Sequence, residues 1–213
     1  MFIERITQVV SLTFVALLTG CASAPTINIS QADRAAVKSV SMTSAPTLPA
    51  EMFFHGRAQS FAALGGVVGA ALYESPKAPA LQLRDVMKSN GIDLPSILKR
   101  EFFAAAQGTL SQAESAASAQ GELTLTINMY GLGQTQGFSA LLYPVLNVTA
   151  TVRKPDGEIA WRHSEFATPL NAENKYGYEF EQYVKQPQLL AKAFANISGI
   201  VSRMLVERLN SGE

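Results

Sequence analysis

The residues able to do acid–base or metal chemistry are few and widely spaced. The chain has two histidines, His55 and His163, whereas a zinc site needs three or four nitrogen, sulfur or oxygen ligands. His163 falls in a predicted strand beside Glu165, a setting typical of a solvated or hydrogen-bonded histidine. Asp156 and Glu158 lie near a predicted turn, so the hypothesis of a hydrolytic site formed by two carboxylates stays open. No metal site is predicted.

Glycine spacing does not indicate a nucleotide site. Gly131, Gly133 and Gly137 superficially resemble a dinucleotide-binding fingerprint. The spacing has one residue too many, and no segment with helical periodicity follows it. The sequence also lacks the Gly-x-Ser-x-Gly elbow of serine hydrolases. We therefore predict no cofactor and no enzymatic activity.

The remaining reactive group is the thiol of Cys21, the only cysteine of the chain. A single cysteine cannot form an internal disulfide bond, so another use for it is expected. It closes the sequence Leu18-Thr19-Gly20-Cys21, which ends an apolar run over residues 9–18. That run has the length of a signal-peptide core and is shorter than the roughly 20 residues that span a bilayer.

The Leu-Thr-Gly-Cys motif resembles the bacterial lipobox. The resemblance implies that residues 1–20 are a lipoprotein signal peptide and that Cys21 becomes the lipidated first residue, carrying palmitate-type chains. Two or more chains anchor a protein stably. Ala22, rather than an aspartate, follows the cysteine, which in Gram-negative families implies the outer membrane, facing the periplasm. The alternative is a free thiol after ordinary cleavage near Ala22-Ser23-Ala24.

Composition places the rest of the chain in the globular class. Hydrophobic residues make up 47% and charged residues 16% of the sequence, and the formal net charge is zero. These values argue against disorder and against binding to nucleic acid. No second apolar run is long enough to predict a transmembrane helix. We expect residues 21–36 to form a lipidated tether and residues 37–213 a single domain.

The segment 61–72 is apolar throughout and rich in glycine and alanine. Gly65 and Gly69 lie four residues apart, and Gly66 lies between them. Small residues at this spacing give a helix a smooth face that another backbone can approach closely. Three interpretations stay open: a helix buried on its own sheet, an element that enters a membrane or meets another copy, and a loop. A phosphate-binding loop is excluded, because no Lys-Ser or Lys-Thr follows Gly69.

Periodicity predicts an α+β domain in which a small, mostly antiparallel sheet carries two main helices on one face. Alternation places Met129 inward and Tyr130 outward. Trp161 and Phe166 are interpreted as packing residues. The predicted order is strand, helix, strand, strand, strand, helix. The strands cover residues 37–42, 122–130, 143–154 and 158–166, a short helix covers 81–89, and the main helices run from Asp93 towards Gly108 and from Pro187 towards Gly212.

The motif Leu18-Thr19-Gly20-Cys21, the short tether and this order of elements resemble small Gram-negative envelope lipoproteins. The order of elements is similar to that of the lipopolysaccharide-assembly, ABC-transport auxiliary and curli-secretion lipoproteins. The resemblance implies a non-enzymatic accessory or assembly subunit, with the membrane and an envelope protein or a second copy as partners. One alternative is self-assembly or membrane insertion through Gly65, Gly66 and Gly69. A second is a periplasmic hydrolase with a dispersed site.

Overall fold

A computed structural model describes residues 25–42, 44–56, 78–135 and 139–212. The predictions for Cys21 and for the segment 61–72 lie outside these residues. The described chain forms one sheet, whose strands are β1 (Ser39–Ser41), β2 (Phe53–His55), β3 (Ser111–Gln112), β4 (Gly121–Gly133), β5 (Tyr143–Arg153) and β6 (Ile159–Ala167). Its helices are α1 (Gln31–Ala36), α2 (Ala78–Ser89), α3 (Leu94–Ala105), α4 (Phe180–Lys185) and α5 (Pro187–Ser211).

The long strands β4, β5 and β6 form the predicted antiparallel meander. The other edge of β4 is shared by two short parallel partners, with β1 beside its first residues and β2 beside its last. β3 pairs in parallel with β1 and completes the sheet. The α+β class and the mostly antiparallel sheet are therefore confirmed.

A β-bulge reverses the predicted orientation of two side chains in β4. The register with β5 shifts between Ile127 and Met129. A bulge inserts one extra residue into a strand, so the alternation changes phase beyond it. Tyr130 is consequently fully buried and packs against Phe194 at 6.4 Å between ring centroids, whereas Met129 is only half-buried. The prediction for these two side chains was wrong.

The two main helices form a layer on one face of the sheet, as predicted. α5 lies against β5 and β6, and α3 packs on α5. Both begin with a proline in the first turn, where a missing N–H costs nothing. Gly212 ends α5 with a left-handed φ of 84°. Residues of the predicted apolar stripe on α5 are almost fully buried: Leu190, Phe194, Ile197, Val201, Leu205 and Leu209.

Among the described residues, α5 is long and apolar enough to cross a membrane by length and composition. However, 56% of its most apolar window is buried within the domain. A helix that fills the space between a sheet and a second helix is apolar for that reason alone. Its position therefore fits a core helix.

The folded region begins earlier in the chain than predicted. Ile27 exchanges two backbone hydrogen bonds of 2.8 Å with Arg162 of β6, and Ile29 is buried. Ser30 then caps α1. The hydrogen bond from the Ser30 hydroxyl group lowers the pKa of Asp33, and the nearby Lys154 ammonium lowers it further. The prediction of a tether reaching residue 36 was wrong beyond Ile27, because this segment is ordered by pairing with a distant strand that local periodicity does not reveal.

Candidate functional site

The carboxylates considered for hydrolysis, Asp156 and Glu158, make hydrogen bonds and ion pairs at the turn between β5 and β6. Asp156 accepts a hydrogen bond of 2.9 Å from the backbone N–H of Glu158. The Glu158 carboxylate lies 2.5 Å from the ammonium of Lys154 and raises the pKa of that lysine. Asp33 approaches the same ammonium at 3.4 Å. This group therefore fastens α1 to the end of β5.

His163 lies on the helix-covered face of β6, in a cluster that also contains an acidic and a basic side chain. Its Nε2 atom is 3.4 Å from the carboxylate of Glu165, and its ring stacks on Trp161 with 6.4 Å between centroids. Glu165 also accepts a 2.9 Å hydrogen bond from Arg208 of α5. The Nδ1 atom of His163 has no hydrogen-bond partner in the described part of the chain. A nucleophile–base pair would need a hydroxyl or thiol group at this atom, and the described residues place none there.

A shallow groove follows α5 on the side of β6. It is formed by two adjoining cavities of about 230 and 340 Å³. Met204 and Glu207 line both cavities. Met204 therefore lies at the edge of the buried apolar stripe of α5. Arg203 pairs with Glu173 in the first cavity, while the Arg208–Glu165 pair lines the second.

Ligand pockets are typically concave and mainly apolar, whereas this groove is shallow and lined largely by charged side chains. No group of three or more histidine, cysteine, aspartate or glutamate side chains within the described ranges could hold a metal ion. The groove therefore suits polar contact with another surface better than it suits enclosure of a small molecule.

The opposite face of the sheet, here called the outer face, is polar at its centre. Asn128 donates to Asn147 at 2.7 Å and to Thr149 at 2.8 Å. Thr149 and Ser164 share a 2.6 Å hydrogen bond. These pairs link β4, β5 and β6 on the face that the sequence predicted to meet water. Phe166 also points to this face and is 42% exposed, so its interpretation as a packing residue was wrong.

The free edge of β6 holds the N-terminal chain. The pairing of Ile27 with Arg162 is antiparallel, so Thr26 and Pro25 run in the direction of Phe166 and away from Ile159. Cys21, Gly65, Gly66 and Gly69, the predicted site residues, lie outside the described residues, and the structure brings none of them to a site. Sequence reasoning missed the pairing of Ile27, although the alternation Ile27-Asn28-Ile29 signals a short strand.

No protein-family model and no curated protein sequence matches the chain. Similar solved structures include a DUF330 protein from Xanthomonas campestris, with 12% identity and a TM-score of 0.36 over 53% of this chain and 58% of that protein. The PelC dodecamer from Paraburkholderia phytofirmans has 12% identity and a TM-score of 0.35, with coverage of 88% and 92%. A minor lipoprotein from Acinetobacter baumannii has 14% identity and a TM-score of 0.24, with coverage of 54% and 83%. The chain thus spans 58% of the Xanthomonas protein, and these likenesses assign it no activity, ligand or partner.

Proposed function

We propose that the chain is an outer-membrane lipoprotein of the Gram-negative envelope, anchored through Cys21 and facing the periplasm. In this proposal it is a non-enzymatic accessory subunit that binds other envelope components. The observation that carries the proposal is the short distance along the chain between the lipobox-like cysteine and the fold. Ile27, the first described residue bonded to the sheet, follows Cys21 by 27 − 21 = 6 residues.

Six residues span at most about 20 Å when fully extended. A domain on so short a connection to the lipid stays beside the membrane surface and cannot diffuse through the periplasm. Such confinement raises the effective concentration of the domain towards other membrane-bound proteins. It favours an assembly role over the processing of diffusing substrates.

The described side chains support the same choice. Two ion pairs line the groove along α5, Arg203–Glu173 and Arg208–Glu165, together with the carboxylate of Glu207. The Arg203–Glu173 pair is exposed, and exposed pairs contribute about 0–1 kcal/mol to stability, so its side chains are available to exchange partners at an interface. A protein surface with matching charges would gain specificity from them.

Crosslinking in intact cells tests the proposal on the full-length chain. Wild-type protein is compared with a Cys21→Ser variant expressed at the same level. We expect either crosslinked species with envelope proteins or a ladder of copies, meaning a series of crosslinked homo-oligomers. Either result should be lost in the Cys21→Ser variant. A lipidated, abundant wild-type protein that gives the same monomer band as the variant would overturn the assembly role.

If only a ladder of copies forms, the double variant Gly65→Leu and Gly69→Leu distinguishes the two assembly hypotheses. Loss of the ladder with unchanged folding would favour self-association through the segment 61–72. Persistence of the ladder would exclude that segment as the contact and assign the contact to the remainder of the domain.

A further inference from the structure

Apolar side chains gather on the outer face at the end of the sheet opposite α1. We call Phe53, Phe166, Pro169 and Leu170 the apolar patch. A side chain built on Gly133 would lie 3.4 Å from the ring of Phe53 and 3.7 Å from the ring of Pro169, so β2 and the segment after β6 meet there. Phe166 joins them at the end of β6.

The patch is exposed, although it adjoins a buried valine of the outer face. Phe53, Phe166 and Leu170 are 40%, 42% and 81% exposed, while Val145, which also lies near Gly133, is 3% exposed. Single exposed apolar residues are ordinary, but a group at one place on a surface indicates an interaction site. None of these side chains contributes to the polar network at the centre of the outer face.

The path of the N-terminal chain relates the patch to the anchor. Because Ile27 pairs antiparallel to Arg162, the chain before it runs towards the end of β6 that carries the patch. The rise along a strand is about 3.3 Å per residue, so Phe166 lies about 13 Å from Arg162 in that direction. Cys21 lies four positions before Pro25, and that length of chain spans at most about 14 Å. This reach allows Cys21 to lie beside the patch.

We propose that the apolar patch rests on the lipid surface in which the chains on Cys21 are embedded. The proposal relies on the lipidation proposed above. The lipid attachment and the patch then form two contacts at one end of the domain, and together they fix which face meets the membrane. The groove along α5 lies on the helix-covered side of the sheet, and Asn171 and Ala172, which line its first cavity, directly follow Leu170 of the patch.

A membrane is the occupant that the chain length favours. A second copy or a partner protein could also cover the patch, but neither explains why the anchor emerges beside it. Membrane contact through exposed aromatic and aliphatic side chains, added to acyl chains, is how peripheral anchors gain orientation as well as affinity.

The test places a reporter in the patch of the full-length protein. Leu170→Cys carries an environment-sensitive fluorophore. The matched control is Ala117→Cys, at an exposed position of the short 3-10 helix Ala116–Ser118, which precedes β4 near the far end of the sheet. The wild-type chain, whose only cysteine is Cys21, gives the labelling background. The proteins are purified in detergent, and the mass of the N-terminal peptide is measured for each. They are then placed in vesicles of phosphatidylethanolamine and phosphatidylglycerol containing nitroxide-labelled lipid.

We expect quenching by the nitroxide lipid to be several-fold stronger at position 170 than at position 117. Equal quenching at the two positions in a lipidated protein would overturn the patch proposal and leave the anchor intact. Protection of position 170 from both nitroxide lipid and aqueous iodide would also overturn it, because a protein surface would then cover the patch. Absence of lipid on Cys21 would overturn the proposed function and, with it, the patch proposal.

Discussion

Replacing Gly131 with alanine should detach β2 from the sheet. Gly131 lies in β4 opposite Phe53 and has a φ of 156°. A Cβ atom built there would be 1.8 Å from the carbonyl oxygen of Phe53. That distance is far inside van der Waals contact, and the obstructing atom belongs to the backbone, so no side-chain rotation relieves the clash. The Gly131→Ala variant must therefore displace β2.

The interactions that hold β2 in place set the size of the effect. Met52 is 6% exposed, and its burial contributes about 1.5–3 kcal/mol. Phe54 meets Phe180 edge-to-face at 5.8 Å, worth about 0.5–1.5 kcal/mol. The hydrogen bond from Gln134 to His55 contributes about 1 kcal/mol. We expect the free energy of unfolding to fall by about 3–5 kcal/mol, a large part of the total for a small domain.

Urea denaturation of the full-length chain in nonionic detergent measures this loss. Trp161 is the only tryptophan and is fully buried, so its fluorescence reports unfolding of the core. The matched control is Gly133→Ala in the same strand, where a Cβ atom would meet its nearest neighbours at 3.4 Å or more. This control should change stability by no more than about 0.5 kcal/mol. Equal losses for the two variants would refute the reasoning.

Further variants test separate parts of the fold. Tyr183→Phe should lower the free energy of unfolding by about 1–2 kcal/mol, because the buried hydroxyl donates its one hydrogen to the carbonyl oxygen of Leu142 at 2.9 Å, with that of Tyr176 at 3.2 Å. Burial raises the pKa of Tyr183 above its ordinary value of 10.0, so the wild type should lose stability as pH rises above 10 and the variant should lose less in urea titrations. Ser30→Ala should accelerate amide hydrogen exchange in residues 33–36 and leave the exchange of β5 unchanged, since the hydroxyl group caps α1. Leu98→Ala, at a fully buried position, should lower the free energy of unfolding by about 2–5 kcal/mol. Leu170→Ser should change it by less than about 0.5 kcal/mol. A loss for Leu170→Ser comparable to that for Leu98→Ala would show that the apolar patch is structural.

The meander and the main helices were predictable because their signals are local. Strands β4, β5 and β6 are nine to thirteen residues long, so stretches of alternation can be recognised in each, and α5 keeps its apolar stripe over its length. β2 and β3 are only three and two residues long, too short for a period to be recognised. They form because β4 and β1 offer them free edges, which is a property of the assembled sheet.

Two errors at the sheet surface have different causes. The inversion of Met129 and Tyr130 comes from a bulge, which depends on pairing with β5 and is absent from the local pattern. The exposure of Phe166, by contrast, follows from the sequence. Trp161 and Phe166 are separated by five positions, and residues an odd number apart in one strand face opposite sides.

The apolar patch could not be predicted, because its residues come from distant parts of the chain. Phe53 reaches it only through the pairing of β2 with β4, and Leu170 follows the turn after β6. The proposed position of the anchor relative to the patch likewise depends on the pairing of Ile27 with Arg162. Lipidation of Cys21 stays a prediction that rests on four adjacent residues, Leu18 to Cys21.

Mass spectrometry of the N-terminal peptide tests the central claim most directly. The full-length gene is expressed in a Gram-negative host, and the chain is purified from the membrane fraction beside a Cys21→Ser variant. We predict that the wild-type peptide begins at Cys21 and carries the added mass of acyl chains. The Cys21→Ser variant should lack that added mass and should not be retained in the membrane fraction. An unmodified chain that begins beyond Cys21 and is recovered in the soluble periplasmic fraction would contradict it.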